Sequence, residues 1–145
     1  MRFRLLPIVL VVALLTACGT GDTSPGSTSG PGVGQRVETS AGGYTLVTVD
    51  ELAGMRSQRA LTLVNVHVPY EGEIERTDLF VPYDHVEEYL DQLPAKDARV
   101  VVYCRSGPMS AQAARTLVTL GYTDVYDLDG GMTAWEAAGL ALRRP

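Results

Sequence analysis

Short apolar runs alternate along the chain with segments in which apolar residues recur at helical spacing. The runs have the usual length of strands, and several are rich in Val and Leu, as expected of strands that are covered on both faces. They predict strands over Tyr44–Val47, Leu61–His67, Leu79–Val81, Ala98–Tyr103 and Thr123–Leu128.

The segments of helical spacing carry recognisable start and stop signals. Thr48 and Glu51 have capping-box spacing, in which two side chains satisfy free amides at a helix N-terminus, and the segment that begins at Asp84 has the same spacing. Gly121 and Gly139 are predicted to end helices, because the residue after a helix C-terminus often has a positive φ, which glycine adopts readily. The predicted helices run from Thr48 to about Arg56, from Asp84 to about Leu93, from Met109 to Leu120 and from Gly131 to Gly139.

The alternation of strands with helices predicts an α/β domain over residues 44–145. Its central β-sheet is expected to be mainly parallel, with helices packed on both faces. In such sheets, functional sites form at the carboxyl ends of strands, where each strand gives way to the next helix. Residues placed at those junctions are therefore the first candidates for chemistry.

The segment before this domain has the pattern of an export signal. Arg2 and Arg4 precede an apolar run over Leu5–Leu15, which is shorter than the roughly 20 residues of a membrane-spanning helix. Residues 1–17 thus predict a secretory signal peptide. The quartet LTAC, which ends at Cys18, resembles the bacterial lipoprotein box, in which the cysteine carries the lipid. An ordinary signal peptide that happens to end near a cysteine is the alternative.

Residues 18–43 are dominated by glycine, serine, threonine and proline. Such a stretch buries too little surface to offset its ordering entropy, so it predicts a flexible tether. If Cys18 is lipidated, we expect the domain to lie on the outer face of the bacterial cytoplasmic membrane or in the periplasm, attached to the membrane through the lipid.

The net charge and the number of cysteines and histidines argue against two kinds of function, nucleic-acid binding and metal binding. The 12 basic residues include Arg2 and Arg4, so ten remain after the signal segment, against 17 acidic residues. This acidic balance argues against nucleic-acid binding. With two histidines in the chain and Cys18 carrying lipid, no metal-ligand spacing exists, so no metal site and no cofactor are expected. Cys104 is then the free thiol.

Cys104 ends a predicted buried strand and precedes a predicted helix. A helix N-terminus and a neighbouring cation, here Arg105, favour the reactive thiolate form of a cysteine. Gly107 lets the loop curl, so that successive amides form an anion nest around the sulfur. The alternative is a buried cysteine that acts as a small hydrophobic residue.

Two motifs carry a family resemblance. CRSG at residues 104–107, followed by Ser110, resembles the active-site loop of the rhodanese (sulfurtransferase) family. LDGGMTAWEAAGL, which begins at Leu128, is similar to that family's C-terminal signature, and the likeness spans about Tyr44 to Leu140. The resemblance implies a rhodanese-like α/β fold.

The resemblance also implies a persulfide mechanism. Cys104 would attack a small anionic sulfur donor, such as thiosulfate or a persulfide, and pass the outer sulfur to a thiol acceptor, to cyanide or to an unknown protein partner. Binding of the donor would fall to the loop residues Arg105, Ser106, Gly107, Met109 and Ser110.

The same residues leave alternatives open. Pro108 lacks an amide, and Met109 stands where family members active on thiosulfate often carry a basic residue, so we expect low thiosulfate activity. A cysteine phosphatase needs an arginine six residues after the cysteine, and that residue is Ser110. A lipid-anchored binding module without turnover is the stronger rival. His67, at a strand end, is a candidate acid or base, although such a histidine is more often hydrogen-bonded structure.

Overall fold

The computed structural model describes residues 33–58 and 60–145. The elements, in chain order, are β1 Gln35–Thr39, β2 Gly42–Val47, α1 Val49–Gln58, β3 Thr62–Asn65, β4 Glu73–Ile74, β5 Leu79–Phe80, a 3₁₀ helix Val86–Tyr89, β6 Val100–Tyr103, α2 Pro108–Thr119, β7 Val125–Leu128, α3 Gly131–Ala137 and β8 Leu142–Arg143. The predicted signal peptide and Cys18 lie outside the described residues. In the part of the chain that is described, no helix is both long and apolar enough to cross a membrane.

The main sheet has the strand order β1-β2-β7-β6-β3-β5. All neighbouring pairs run parallel except β1 and β2, which form an antiparallel hairpin at one edge. Helices cover both faces, so the predicted α/β fold class is confirmed. The neighbouring strands β7, β6 and β3 run parallel, so their carboxyl ends lie side by side at the same end of the sheet.

β6 lies in the middle of the sheet, and all four of its residues are buried. Val100 and Val102 pack under α2, whereas Val101 and Tyr103 pack under α1 and α3. This alternation follows from the two-residue period of a strand, and it explains the unbroken apolar run in the sequence. Cys104 continues the alternation and falls on the α2 face.

The predicted capping box at the start of α1 is confirmed. The Thr48 N–H donates to Glu51 Oε2 at 2.8 Å, and the Glu51 N–H donates to Thr48 Oγ1 at 3.3 Å. Glu51 Oε1 also accepts a hydrogen bond from the Gly34 N–H at 2.8 Å. These backbone hydrogen bonds, from Thr48 and then Gly34, lower the pKa of Glu51.

The predicted glycine stops of α2 and α3 are confirmed as well. Gly121 has φ 91°, and the next amide, that of Tyr122, donates to Leu117 O at 3.1 Å. Gly139 has φ 78°, and the Leu140 N–H donates to Trp135 O at 3.2 Å. Both helices therefore end in the six-to-one hydrogen bond that a left-handed residue permits.

The helix predicted from Asp84 to Leu93 is wrong. That segment holds one 3₁₀ turn, Val86–Tyr89, with His85 at the N-cap position and no side-chain cap. Asp84 Oδ1 instead lies 2.8 Å from His85 Nδ1. The Asp84 carboxylate, which the sequence predicts as the helix cap, thus contacts the His85 imidazole instead of a backbone N–H of the helix.

The tether predicted over residues 18–43 ends too late. Gln35–Thr39 within it form β1, whose register pairs Val37 with Tyr44 of β2. Val37 is half-buried against the core on the α2 face. This edge strand carries a single apolar residue, so it depends on pairing with β2 rather than on its own hydrophobic pattern. Residues 18–32 of the predicted tether lie outside the described part of the chain.

A second, smaller sheet was not predicted. β4 pairs antiparallel with β8, with Ile74 opposite Leu142. Tyr103 ties this region to β6, because its hydroxyl accepts a hydrogen bond from the Ile74 N–H at 3.0 Å and lies 2.7 Å from Thr77 Oγ1. Burial raises the pKa of Tyr103 to about 12, so the phenol keeps its proton.

Candidate active site

Cys104 lies at the carboxyl end of β6, directly before the loop that enters α2. Its side chain is 2% exposed. The Gly107 N–H donates to Sγ at 3.1 Å, and the Ser110 hydroxyl donates to the same sulfur at 3.5 Å. Two donors aimed at one sulfur favour its negatively charged form. The arrangement suits a thiolate or persulfide better than a buried hydrophobic residue.

Fewer backbone N–H groups of the loop donate to the sulfur than the predicted anion nest requires. Among the described residues, the amide of Gly107 is the one that donates to Sγ. Pro108, the first residue of α2, has no N–H to contribute. Gly107 adopts φ 114°, in the region that favours glycine, and so lets the chain turn from the loop into α2. The predicted nest therefore consists of one backbone donor and one hydroxyl.

The N-terminus of α3 fixes the backbone of the same loop. The Met132 N–H donates to Cys104 O at 2.9 Å. The Thr133 N–H and Oγ1 both donate to Arg105 O, at 2.9 and 3.0 Å. Gly131, at φ 54°, permits this approach, because a Cβ there would lie 2.2 Å from Cys104 O. Gly131 of the C-terminal motif thus allows α3 to support the backbone of the Cys104 loop.

Arg105 does not stand free to meet an anion. Its Nη1 donates to both carboxylate oxygens of Glu71, at 3.0 and 3.2 Å. The pair is partly solvated, with side chains 61% and 36% exposed for Arg105 and Glu71. An anionic ligand at Arg105 has to compete with this carboxylate. The donor-binding role of Arg105 stays a prediction.

His67 lies beside the same carboxylate. Its side chain is 9% exposed, and Nε2 is 3.3 Å from Glu71 Oε2. The two atoms are close enough for an ion pair, but they do not meet the geometry of a hydrogen bond. Neither ring nitrogen of His67 has a hydrogen-bond partner among the described residues. The interpretation of the imidazole as hydrogen-bonded structure is therefore not supported, and among the described residues no hydrogen bond joins His67 to Sγ. Its role as an acid or base stays a prediction.

The remaining predicted loop residues occupy different environments. Ser106 is exposed, and Met109 is half-buried against the core on the α2 face. Ser110 is fully buried, and its hydroxyl also donates to Gly107 O at 2.9 Å. Of the predicted donor-binding residues, Gly107 and Ser110 are the two whose contacts reach Sγ.

A buried carboxylate lies near the site. Asp127 of β7 is 1% exposed, and β7 places it opposite Val102 of β6. It shares the α2 face with Val125, two residues earlier, and with Cys104. Burial is the main cause that raises the pKa of Asp127 to about 7, whereas a hydrogen bond with the Ser110 side chain opposes the rise.

A cavity of about 620 Å³ opens beside the loop. Its lining includes Arg105, Met132 and Thr133, and Glu71, Glu136 and Arg144 contribute charges of both signs. Arg144 donates to Glu71 O at 3.2 Å and is also paired with Glu136. The volume is typical of sites for small ligands.

Comparison with known proteins places the chain in a family. The family model described as a rhodanese-like domain matches residues 48–138, which include the CRSG loop, all but the last two residues of the C-terminal motif, and both residues that donate hydrogen bonds to Sγ. The chain belongs to the rhodanese-like family.

Relatives at the sequence level include sulfurtransferases of different lengths. A sulfurtransferase of Allochromatium vinosum is 38% identical over 86 residues, covering 57% of this chain and 78% of that protein. The thiosulfate sulfurtransferase GlpE of Vibrio cholerae is 28% identical over 98 residues, covering 66% of this chain and 92% of the relative. The match to the adenylyltransferase and sulfurtransferase UBA4 of Candida albicans spans only 16% of that larger protein. At the level of the family, these relatives support a sulfurtransferase.

Solved structures of rhodanese-like proteins share the fold. A rhodanese-related protein from Thermoplasma volcanium superposes with a TM-score of 0.59 at 26% identity, covering 68% of this chain and 97% of that one. The rhodanese-like domain of the Anabaena Alr3790 protein gives a TM-score of 0.61 at 23% identity, covering 69% and 79% of the two chains.

Two residues of this rhodanese-like site were missed by sequence reasoning. The alternating residues Glu71, Glu73 and Glu75 have the sequence pattern of a solvated acidic stretch, but Glu71 pairs with Arg105. Asp127 lies within the predicted strand Thr123–Leu128. Its signal was present, because the strand period places residue 127 on the same buried face as Val125, where a carboxylate is unexpected.

Proposed function

We propose that the protein is a rhodanese-type sulfurtransferase in which Cys104 carries the transferred sulfur as a persulfide. The observation that carries this proposal is the pair of donors on Sγ, from the Gly107 amide at 3.1 Å and the Ser110 hydroxyl at 3.5 Å. Membership of the rhodanese-like family and the sulfurtransferase relatives support the same reaction class.

The reaction has two displacement steps. The Cys104 thiolate attacks the outer sulfur of a donor such as thiosulfate; the sulfur–sulfur bond of the donor breaks, and its electron pair leaves with sulfite. A thiolate acceptor or cyanide then attacks the outer sulfur of the persulfide, and the electron pair of the broken bond returns to Sγ. The two donors stabilise negative charge on the sulfur in the resting and product states.

The charge around the loop supports a proposal for the sulfur donor. The Glu71 carboxylate neutralises the charge of Arg105, the Met109 side chain is uncharged, and Pro108 has no backbone N–H to donate. A doubly charged donor such as thiosulfate therefore finds little net attraction, and we expect a low rate with it. A persulfide of a small thiol is the donor that fits better.

The cavity beside the loop is the site we assign to the acceptor. It has the size of a small-molecule site, and it presents Arg105 and Arg144 together with Glu71 and Glu136. Charges of both signs suit a small thiol that carries an ammonium and a carboxylate. A protein partner that presents a thiol there is the other acceptor to be tested.

Mass spectrometry of the purified full chain tests the reaction. We expect one added sulfur on Cys104 after treatment with thiosulfate or a small persulfide, removed again by cyanide, and none on the Cys104→Ser variant. No adduct from either donor, on a thiol that alkylates readily, would favour the alternative of a binding module without turnover.

The location is a separate part of the proposal. Residues 1–17 and the LTAC quartet support export and lipidation at Cys18. We expect the wild-type chain in the membrane fraction of a bacterial host, and Cys18→Ala released from that fraction or left unprocessed. Unchanged lipidation of the variant would refute the assignment.

A further inference from the structure

The Glu71 carboxylate lies between two side chains that can bind an anion. Its Oε2 is 3.0 Å from Arg105 Nη1 and 3.3 Å from His67 Nε2, and its Oε1 is 3.2 Å from the same Arg105 nitrogen. A guanidinium and an imidazole are the groups that would hold the carboxylate of a bound small molecule. Glu71 and Arg105 also line the cavity beside the loop, so a ligand in the cavity can reach them.

The His67 imidazole is not satisfied by this arrangement. Its side chain is 9% exposed, and both ring nitrogens are buried without a hydrogen-bond partner among the described residues. A buried ring nitrogen without a partner costs folding free energy. A ligand that makes a hydrogen bond to Nε2, the nitrogen that faces Glu71, would remove part of that cost.

The backbone around Glu71 is held by hydrogen bonds from two other side chains. Arg144 Nη1 donates to Glu71 O at 3.2 Å, and Asn65 Nδ2 donates to Gly72 O at 2.9 Å. The carboxylate is therefore tethered to a fixed point of the chain. A free carboxylate has no such tether, and it can turn until it meets both the guanidinium and the imidazole.

The pair between Glu71 and Arg105 costs little to open. The two side chains are 36% and 61% exposed, and an exposed ion pair is worth at most about a fivefold factor in an equilibrium constant. Arg144 offers the released carboxylate a second cation, because it contacts Glu71 O and lines the same cavity. The Glu71 side chain can thus leave Arg105 without losing every positive partner.

We propose that His67 and Arg105 form a subsite for the carboxylate of a small molecule, which Glu71 fills in the free protein and leaves when the ligand binds. His67 Nε2 and Arg105 Nη1 are the two groups that hold the ligand. The displaced Glu71 carboxylate stays in the cavity, and its charge repels a doubly charged anion more than a singly charged one. The expected ligand group is therefore a single carboxylate.

The use of this subsite in catalysis rests on the proposed sulfur transfer. A small thiol, or its persulfide, that carries a carboxylate would be held by that group beside the Cys104 loop. The binding of the carboxylate itself needs no sulfur, so it can be measured with acetate. Acetate binding without a persulfide on Cys104 would contradict the sulfur transfer alone, and a persulfide without acetate binding would contradict the subsite alone.

An NMR titration of the full chain with acetate, at fixed pH and ionic strength, tests the subsite. The ring signals of His67 are followed, and those of His85, which is exposed and paired with Asp84, serve as the internal reference. We expect a saturable change at His67 with acetate and none with uncharged acetamide. Glu71→Ala should lower the half-saturating concentration about fivefold, because the internal competitor is gone. Arg105→Gln should raise it about tenfold.

Glu75→Ala is the matched control, because it removes an exposed carboxylate from the same stretch, and its titration should coincide with that of the wild type. If Glu71→Ala does not fold, Glu71→Gln replaces it. The absence of a saturable change at His67 in the Glu71 variant would overturn the proposal. A response in that variant with none in the wild type would do the same, because Glu71 would then be a fixed partner of Arg105. A titration that Arg105→Gln leaves unchanged would also contradict the subsite.

Discussion

Asp127 should make the stability of this protein depend on pH in a direction opposite to that of an ordinary acidic residue. Burial raises its pKa from 3.8 to about 7, so the folded chain holds a proton that the unfolded chain has already released. Between those two values, the free energy of unfolding falls as the pH rises, because the folded state binds more protons. Below 3.8 and above about 7, this contribution is constant.

The magnitude follows from the shift. A rise from 3.8 to about 7 spans roughly three pH units, and each unit corresponds to about 1.4 kcal/mol. The residue is 1% exposed, so little screening by solvent reduces the effect. Asp127→Asn carries no titrating group. The difference in unfolding free energy, variant minus wild type, should therefore grow by about 3 kcal/mol between about pH 4.5 and pH 8.5.

Urea unfolding followed by fluorescence measures this difference. Trp135 is the one tryptophan of the chain and lies on the buried side of α3, so its emission reports the folded core. The change with pH is compared, rather than the absolute stability, because the packing of an asparagine adds an offset that does not vary with pH. A difference that stays within about 1 kcal/mol across this range would refute the argument, since the carboxyl would then titrate alike in both states.

Three further predictions concern the loop. Met109→Arg should lower the KM for thiosulfate about two- to fivefold in steady-state assays, because it adds a cation at a loop position that carries none. Glu71→Gln should lower the same KM by a similar factor by releasing Arg105, since an exposed pair is worth up to about 1 kcal/mol. Gly131→Ala should cost about 1–3 kcal/mol in urea unfolding and reduce persulfide formation, because its Cβ would strike Cys104 O.

Matched substitutions separate these effects from general damage. Gly54→Ala, inside α1 with open space around its Cβ, should stabilise the fold by up to about 1 kcal/mol, in contrast to Gly131→Ala. Glu75→Gln removes an exposed charge of the same stretch and should leave KM unchanged. An unchanged KM for both Met109→Arg and Glu71→Gln would mean that the anion is held elsewhere.

Local pattern was sufficient to predict much of the fold and to single out Cys104 as the candidate nucleophile. The unbroken run before Cys104 predicts a strand buried on both faces, and the capping box at Thr48 and the stop at Gly121 satisfy helix ends within a few residues. The capping signal at Asp84 failed because its carboxylate interacts with the adjacent His85 imidazole instead of capping a helix. β1 was missed because its pairing with β2, and not its own sequence, keeps it in the sheet.

The sequence by itself determined that a cysteine stands between a buried strand and a helix, which makes Cys104 the candidate nucleophile, because strand, loop and helix follow one another along the chain. Only the tertiary structure decided what that loop meets. Glu71 reaches Arg105 from 34 residues away, α3 holds the carbonyls of Cys104 and Arg105, and β7 brings Asp127 to the face that carries the sulfur. Such contacts depend on strand order and register, which place distant residues side by side without leaving a periodic pattern in the sequence.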